Sequence, residues 1–174
     1  LSAATDRFPI RIIVDLLSCL LGNDKALAWN DIMVGEAFDF KDPHGVIHKL
    51  KYAVGNPMGF LSSWASFTLS HHLIMFICCL RARKDFRSSK YMLLGDDIII
   101  YDDKLAAEYR KLIKYIGVEI SESKTHQSSR FFEFAKRYFF NGMEISPCSS
   151  KGFIEQSKSI TSLIEFVNQL TERG

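Results

Sequence analysis

Proline is scarce in this chain, at 4 residues in 174, and no stretch is dominated by one residue type. That excludes proline-rich linkers, collagen-like arrays and low-complexity tracts, and no internal repeat recurs along the chain. Cysteine is equally sparse, with Cys19, Cys78, Cys79 and Cys148 making up the 4. Their spacing fits neither a disulfide framework nor a paired zinc motif, so they read as core thiols in a reducing compartment. His72 and Cys79 can share one helix face, but two ligands from one face fall short of a metal site. Long hydrophobic runs are missing: the most apolar one, Leu73 to Leu80, falls far below the ~20 residues that cross a bilayer. Nothing within these 174 residues reads as a signal or transit segment. Neither sign of charge dominates, with 22 Lys and Arg against 20 Asp and Glu, a net +2. That balance permits nucleic-acid binding without arguing for it.

What remains is the composition of a globular chain, 47% hydrophobic and 24% charged, sized for one domain or part of one. Its most informative stretch is Leu94-Gly95-Asp96-Asp97-Ile98. Two adjacent acids sit between the apolar runs Tyr91-Met92-Leu93-Leu94 and Ile98-Ile99-Ile100-Tyr101, which predicts a β-hairpin with two carboxylates at its tip. Gly and Asp are also ordinary turn residues, so the tripeptide alone fits a plain turn equally well. Like charges held together on a rigid turn need a positive partner, and a divalent cation is the simplest one.

Along the rest of the chain, Pro9 to Leu21 predicts a helix opened by proline, and Ala26 to Ala37 a weaker one. Phe38-Asp39-Phe40 and Val46 to Val54 predict a hairpin around Asp42-Pro43-His44-Gly45. Gly55-Asn56-Pro57-Met58-Gly59 is a loop. Ser62 to Arg83 predicts a long helix, with Leu61, Trp64, Ala65, Leu69, Leu73, Phe76 and Ile77 along one apolar face. A basic run follows, Arg81, Arg83, Lys84, Arg87 and Lys90 against Asp85. It can track phosphates, and it suits a solvated loop just as well. Lys104 to Ile116 predicts an amphipathic helix stopped by Gly117, then Val118-Glu119-Ile120 a short strand. Phe131 to Phe140 and Met143 to Ile145 flank Asn141-Gly142, a hairpin signal, and Ser159 to Leu170 closes with a helix. The predicted class is α+β, an antiparallel sheet with helices packed on one face, the split βαβ layout of a polymerase palm.

In this order the motifs resemble those of mitovirus-type RNA-dependent RNA polymerases. Leu1-Ser2-Ala3-Ala4-Thr5-Asp6-Arg7-Phe8-Pro9 resembles motif A. Gly55-Asn56-Pro57-Met58-Gly59, with Ser62-Ser63-Trp64-Ala65 and His71-His72, resembles motif B. Leu94-Gly95-Asp96-Asp97 resembles motif C. Gly117 to Ser121 with Lys124-Thr125 resembles motif D, and Glu133 to Tyr138 with Gly142 and Ser146-Pro147 resembles motif E. The resemblance covers nearly the whole chain. It implies residues 1–128 as palm and 129–174 as the motif E hairpin and the start of a thumb. In such enzymes a metal-binding aspartate directly precedes the Leu-Ser-Ala-Ala-Thr-Asp run. This chain starts at Leu1, inside motif A and without the finger motifs, and therefore reads as a fragment.

The resemblance also implies roles. Asp96 and Asp97 would ligate two Mg²⁺ or Mn²⁺ ions in nucleotidyl transfer. Asp6 would bond the ribose 2′-OH, its structural alternative being a helix N-cap. Ser62 or Ser63 would help read the ribose, and spacing does not choose between them. Gly55 and Gly59 would free the motif B loop to pass the template, or merely punctuate it. Lys124 would protonate the leaving pyrophosphate, or be a surface lysine. Lys136 and Arg137 would grip the primer or product backbone, or face solvent. The aromatic clusters around Phe131 and Tyr138 suit core packing more than base stacking. The implied partners are RNA template, product strand and nucleoside triphosphates, and the implied compartment is the mitochondrion. The isolated fragment is expected to be inactive as a polymerase. Against this stands a non-enzyme, a virus-derived remnant in a host genome that is inert or binds RNA. A reverse transcriptase fits less well, because those enzymes place an aromatic residue where this chain has Leu94.

Overall fold

A computed structural model describes residues 1–147 and 150–171. The chain divides into two compact units, Leu1–Thr125 and His126–Gly174. The class is α+β, with small antiparallel sheets and helices.

In the first unit a one-turn helix, α1 (Ala4–Arg7), leads into α2 (Ile10–Leu21). Pro9 stands at the α2 N-cap, as its fixed φ favours, and the orphan amide of Ile10 finds the carbonyl of Val54 at 2.8 Å. That bond also ends the second strand early. β1 (Phe38–Lys41) pairs with β2 (Ile47–Leu50), and the expected extension to Val54 is instead turned toward α2. Gly22, at φ +91°, separates α2 from α3 (Asn23–Asn30), which starts earlier than predicted and runs into a π-helical turn at Asp31–Gly35.

α4 (Ser63–Arg81), the hairpin strands β3 (Tyr91–Leu94) and β4 (Asp97–Ile100), and α5 (Asp103–Tyr115) build the centre. Alternation along the hairpin sends Tyr91, Leu93, Ile98 and Ile100 onto one core with Phe8, Ile13 and Leu17 of the N-terminal segment, Phe67 and Met75 of α4, and Leu105 and Ile113 of α5. Asp102 caps α5, accepting from the Leu105 amide at 2.9 Å.

The predicted apolar face of α4 is mostly turned outward, with Ile77 the member of it that packs against the core. Leu61 and Trp64 are exposed, at 103% and 56%, as are Leu69 and Phe76, while Ser63, Ser66, Ser70, His71, Cys78 and Cys79 turn inward with Phe67, Ile74 and Met75. The helix is apolar all round, so periodicity cannot choose a face. Small side chains let α4 approach its neighbours closely, and the buried polar ones find specific partners. By length and apolarity α4 is also the one helix among the described residues that could cross a bilayer. Half of it is buried inside the unit, as in a core helix.

Among the described residues, the continuous sheet expected from the sequence does not form. The pairings are β1 with β2, β3 with β4, and a separate three-stranded sheet. The predicted strand Val118–Ile120 shrinks to one antiparallel bridge, Ser2 with Glu119, because the chain turns into α1 at Ala4.

In the second unit, the expected strand Phe131–Phe140 is two strands. β5 (Phe131–Phe134) and β6 (Arg137–Phe140) are joined by a tight turn in which Ala135 and Lys136 both take positive φ, 52° and 65°. Asn141-Gly142 then leads to β7 (Met143–Glu144), paired with β6. Cross-strand Phe132 and Phe139 stack at 4.8 Å. Two helices follow, α6 (Ser150–Gln156) and α7 (Ile160–Thr171).

Candidate active site

The two acids sit where the hairpin reverses. Leu94 pairs with Asp97, leaving Gly95 and Asp96 as the two-residue loop. Gly95 takes φ +60° and Asp96 does not, the pattern of a type II′ turn, which follows the strand twist and favours glycine first. Asp96 and Asp97 are both exposed, while Gly95 is buried. A Cβ on Gly95 would lie 2.8 Å from Nε1 of Trp64, so the turn rests against the α4 indole.

The turn is held from beneath by His71. Its Nδ1 lies 2.8 Å from the Gly95 carbonyl oxygen and its Nε2 lies 2.7 Å from the Tyr109 hydroxyl. A carbonyl oxygen only accepts, so Nδ1 carries the proton and donates. Burial pushes the His71 pKa down to about 4, so the ring is neutral at pH 7. Nε2 is then the acceptor, and Tyr109 O–H donates to it. One tautomer of one buried imidazole thus ties the turn to α4 and α5. Burial likewise raises the Tyr109 pKa, which keeps its proton in place. The sequence places His71 only within the motif B resemblance, and Tyr109 only on the apolar face of its helix. Nothing in the periodicity of α4 signals that this histidine faces the turn.

A second junction joins the N-terminal segment to the Gly55 loop. A Cβ on Gly55 would sit 2.1 Å from the Thr5 carbonyl oxygen and 2.5 Å from the Asp6 carbonyl, so only glycine fits. The Asn56 amide donates to the same Thr5 oxygen at 2.9 Å. Gly55 is therefore a packing contact rather than a source of loop freedom. Gly59, at φ +88° with open space around it, is free of such contact. Asp6 lies exposed within α1, and the N-cap of α2 is Pro9, so Asp6 does not serve as that cap.

The two serines differ. Ser63 is buried and its Oγ accepts from Asn56 Nδ2, whereas half-buried Ser62 accepts from Trp29 Nε1 at 2.8 Å. Lys124 ends a 3₁₀ turn, Glu122–Lys124, and is exposed, with no carboxylate in ion-pairing range among the described residues. In the second unit, Lys136 is exposed on its turn, but Arg137 is occupied. Its Nε donates to Glu144 Oε1 at 3.0 Å, an Nη donates to Oε2, and its guanidinium lies over the Phe139 ring. Burial pushes the Cys78 pKa up to about 12, as for an inert core thiol. Cys79 is buried as well, while Cys19 is exposed and so is not a core thiol, and Cys148 lies outside the described residues. His72 bonds the Tyr91 hydroxyl and Cys79 the Ser89 hydroxyl.

The hard oxygen donors suited to Mg²⁺ are Asp96 and Asp97, on a fixed turn and open to solvent. Mg²⁺ is typically held by one or two carboxylates while keeping waters and substrate phosphates as its other ligands. The pair fits that demand for one ion. No group of three or more His, Cys, Asp or Glu is gathered among the described residues.

Comparison with known proteins gives these features a family. The profile of mitovirus RNA-dependent RNA polymerases matches residues 1–174. The chain is 42% identical over 137 residues to the RNA-directed RNA polymerase of Cryphonectria parasitica mitovirus 1, covering 79% of this chain and 16% of that polymerase. It is 38% identical over 161 residues to an uncharacterized mitochondrial protein of Arabidopsis thaliana, covering 89% of this chain and 64% of that protein. A second uncharacterized mitochondrial protein of that plant is 31% identical over 132 residues, covering 72% and 63%. The chain thus spans about a sixth of the viral relative and under two thirds of the plant ones. With the family profile matched from its first residue to its last, the chain belongs to the mitovirus RNA-dependent RNA polymerase family.

Proposed function

We propose that residues 1–128 are the palm portion of a template-directed RNA polymerase and that Asp96 and Asp97 are its metal-binding pair. The observation that carries this reading is the exposed carboxylate pair on a type II′ turn whose carbonyl is fixed by neutral His71. The chemistry that a bound divalent cation supplies is a lowered pKa for the RNA 3′-hydroxyl and charge neutralisation on the triphosphate. Asp6 accepts from the ribose 2′-OH, the group that distinguishes RNA. Of the two serines, Ser62 is our candidate for ribose contact, since its hydroxyl is less buried and retains its own O–H to donate. Lys124, exposed and with no carboxylate in ion-pairing range among the described residues, is our candidate for proton donor to the pyrophosphate. Lys136, rather than the paired Arg137, is the backbone contact of the motif E hairpin. The partners are template, product strand and nucleoside triphosphates, and the compartment is the mitochondrion.

Three carboxylates normally hold a two-metal pair, and this chain supplies two. The Leu1 amino group lies 3.5 Å from the Asp96 carbonyl oxygen, so a residue joined to Leu1 would sit beside the turn. That is where the family's motif A aspartate would stand. The 174-residue chain alone is therefore expected to bind Mn²⁺ weakly and to incorporate no nucleotide. Electron paramagnetic resonance of Mn²⁺ titrated into the chain tests the site. Binding lost in Asp96→Asn/Asp97→Asn supports it, and identical titrations of the two proteins would sink it.

A second reading is a non-catalytic remnant, inert or RNA-binding, and it is favoured by the two plant mitochondrial relatives. A chimera separates the two. The matching segment of the Cryphonectria mitovirus polymerase is replaced by this chain and assayed for primer extension on RNA. Extension supports the enzyme, whereas a folded chimera that binds Mn²⁺ without extending favours the remnant.

A further inference from the structure

We propose that residues 81–90, the last residue of α4 and the loop that joins it to β3, are a sequence-independent contact for an RNA backbone, separate from the Asp96–Asp97 turn. Five cations and one acid occupy these ten positions, a larger excess than the +2 of the whole chain. The structure sorts them. Lys84 is neutralised by Asp102 at 2.6 Å, and the Asp85 carboxylate accepts from the Arg87 and Ser88 amides. Arg81, Arg83, Arg87 and Lys90 remain exposed and without an ion pair among the described residues. These internal bonds leave the loop's own acid facing its backbone and its four cations facing water.

The loop is built rather than slack. α4 ends in a Schellman motif, with Arg83 N–H donating to Leu80 O at 3.1 Å and Lys84 N–H to Cys79 O at 2.9 Å. Arg83 holds the left-handed position, φ +54°, where glycine is the usual residue and carries no strain. The α4 macrodipole favours cations at Arg81 and Arg83 but does not reach Arg87 or Lys90, which lie beyond the last turn. A pocket of about 290 Å³ opens beside the loop, but Asp85 and Asp102 line it against Lys84 and Lys90 and cancel their charge, so the anion's path is over the exposed cations rather than into the pocket.

The occupant is an extended polyanion. The four β3 residues Tyr91–Leu94 separate this loop from the Asp96–Asp97 turn by roughly 13 Å at ~3.3 Å per residue, too far to serve the same phosphate. Three of the four cations are arginines, whose planar fork matches phosphate oxygens. The loop itself presents no exposed large apolar side chain, since Phe86 is packed against the core, so it lacks the wedge that lipid insertion needs. The choice of RNA as the polyanion rests on the polymerase reading proposed for this chain.

The test uses the full chain and single-stranded oligoadenylate in fluorescence anisotropy across a salt series. Arg81→Gln/Arg83→Gly/Arg87→Gln/Lys90→Gln is compared with Lys25→Gln/Lys41→Gln/Lys51→Gln/Lys114→Gln, which removes equal charge elsewhere. The slope of log K against log salt falls by about 0.7 for each phosphate no longer neutralised, so the loop variant should drop by roughly two to three units of slope and the control by little. Arg83→Gly relieves strain, so the loop variant keeps its melting temperature. Mn²⁺ binding at Asp96 and Asp97 stays intact in the loop variant, which separates failure of this surface from failure of the metal site. Equal slopes in the two variants, or stronger loop-dependent binding to phosphatidylserine-containing vesicles than to RNA, would overturn the proposal.

Discussion

The neutral state of His71 makes the stability of the first unit pH-dependent in a window set by this one residue. Buried at the turn, His71 has its pKa lowered from 6.5 to about 4. The group is held uncharged by folding, so its contribution is complete above pH 6.5 and is lost as pH falls toward 4. That lowering corresponds to about 3 kcal/mol in full, and to about 2 kcal/mol between pH 7 and pH 5. The causes run in that sense. Burial disfavours the imidazolium, and the Gly95 carbonyl and the Asp96 charge only partly offset it. Protonation would also turn Nε2 into a donor facing Tyr109 O–H, which now donates to it.

The assay is urea unfolding followed by tryptophan fluorescence at pH 7 and pH 5. Both tryptophans, Trp29 and Trp64, lie in the first unit, so the signal reports that unit alone. Wild type is compared with His71→Phe. The variant is less stable at pH 7, because it loses the bond to Gly95, but its pH 7 to pH 5 difference is smaller than wild type's by about 2 kcal/mol. His72, whose pKa is also lowered by burial, is present in both proteins and cancels. The lowered carboxyl groups Asp42 and Asp102 lose their contribution only below about pH 3.8, outside the window. Equal pH differences in wild type and variant would refute the claim that His71 is folded in the neutral form.

The remaining predictions use the same unfolding assay. Gly55→Ala drives a Cβ into the Thr5 and Asp6 backbone, which cannot step aside as a side-chain tip can, so the first unit loses about 3 kcal/mol or more; a loss below about 1 kcal/mol would show that the loop is not locked to α1. Gly95→Ala costs about 1–2 kcal/mol from its positive φ. Trp64 is exposed and can swing away, so adding Trp64→Ala should not recover that loss, whereas recovery would place the strain in the indole contact. Tyr109→Phe leaves the His71 Nε2 acceptor buried and unpaired, for about 1–2 kcal/mol, and in the His71→Phe background this cost should largely vanish.

Local patterns in the sequence carried most of the elements. Pro9, Gly22, Gly117 and Asn141-Gly142 mark boundaries through backbone restrictions that act on their own residues, so those boundaries could be read without knowing the fold. The Gly-Asp-Asp hairpin was legible for the same reason, since alternation and a turn signal both point to it. The second hairpin at Ala135-Lys136 was not legible, because two non-glycine residues take positive φ there and nothing in their identity announces it. The single sheet also failed to follow from the pattern. Strand pairing is a long-range choice, and the Glu119 segment spends its one bridge on Ser2 before the chain departs into α1.

The site divides along the same line. Asp96, Asp97 and Lys124 are candidates by motif, because the chemistry proposed for them resides in their own side chains. His71, Tyr109 and Asn56 act through the elements they hold together, and that depends on which face of α4 turns inward. A helix apolar on every side offers no period to decide it. The decision is made by fit: Ser63, Ser66 and Ser70 allow close approach, His71 finds a carbonyl and a hydroxyl at hydrogen-bonding distance, and no apolar residue at that position could satisfy both. The bulky stripe of Leu61, Trp64, Leu69 and Phe76 is left outside. The inward choice thus exchanges apolar burial for a fixed turn beneath the two carboxylates. Hydrophobic periodicity cannot settle the side of a helix that is apolar on every face, and it is the partners of His71, on the hairpin and on α5, that mark the side turned toward the carboxylates.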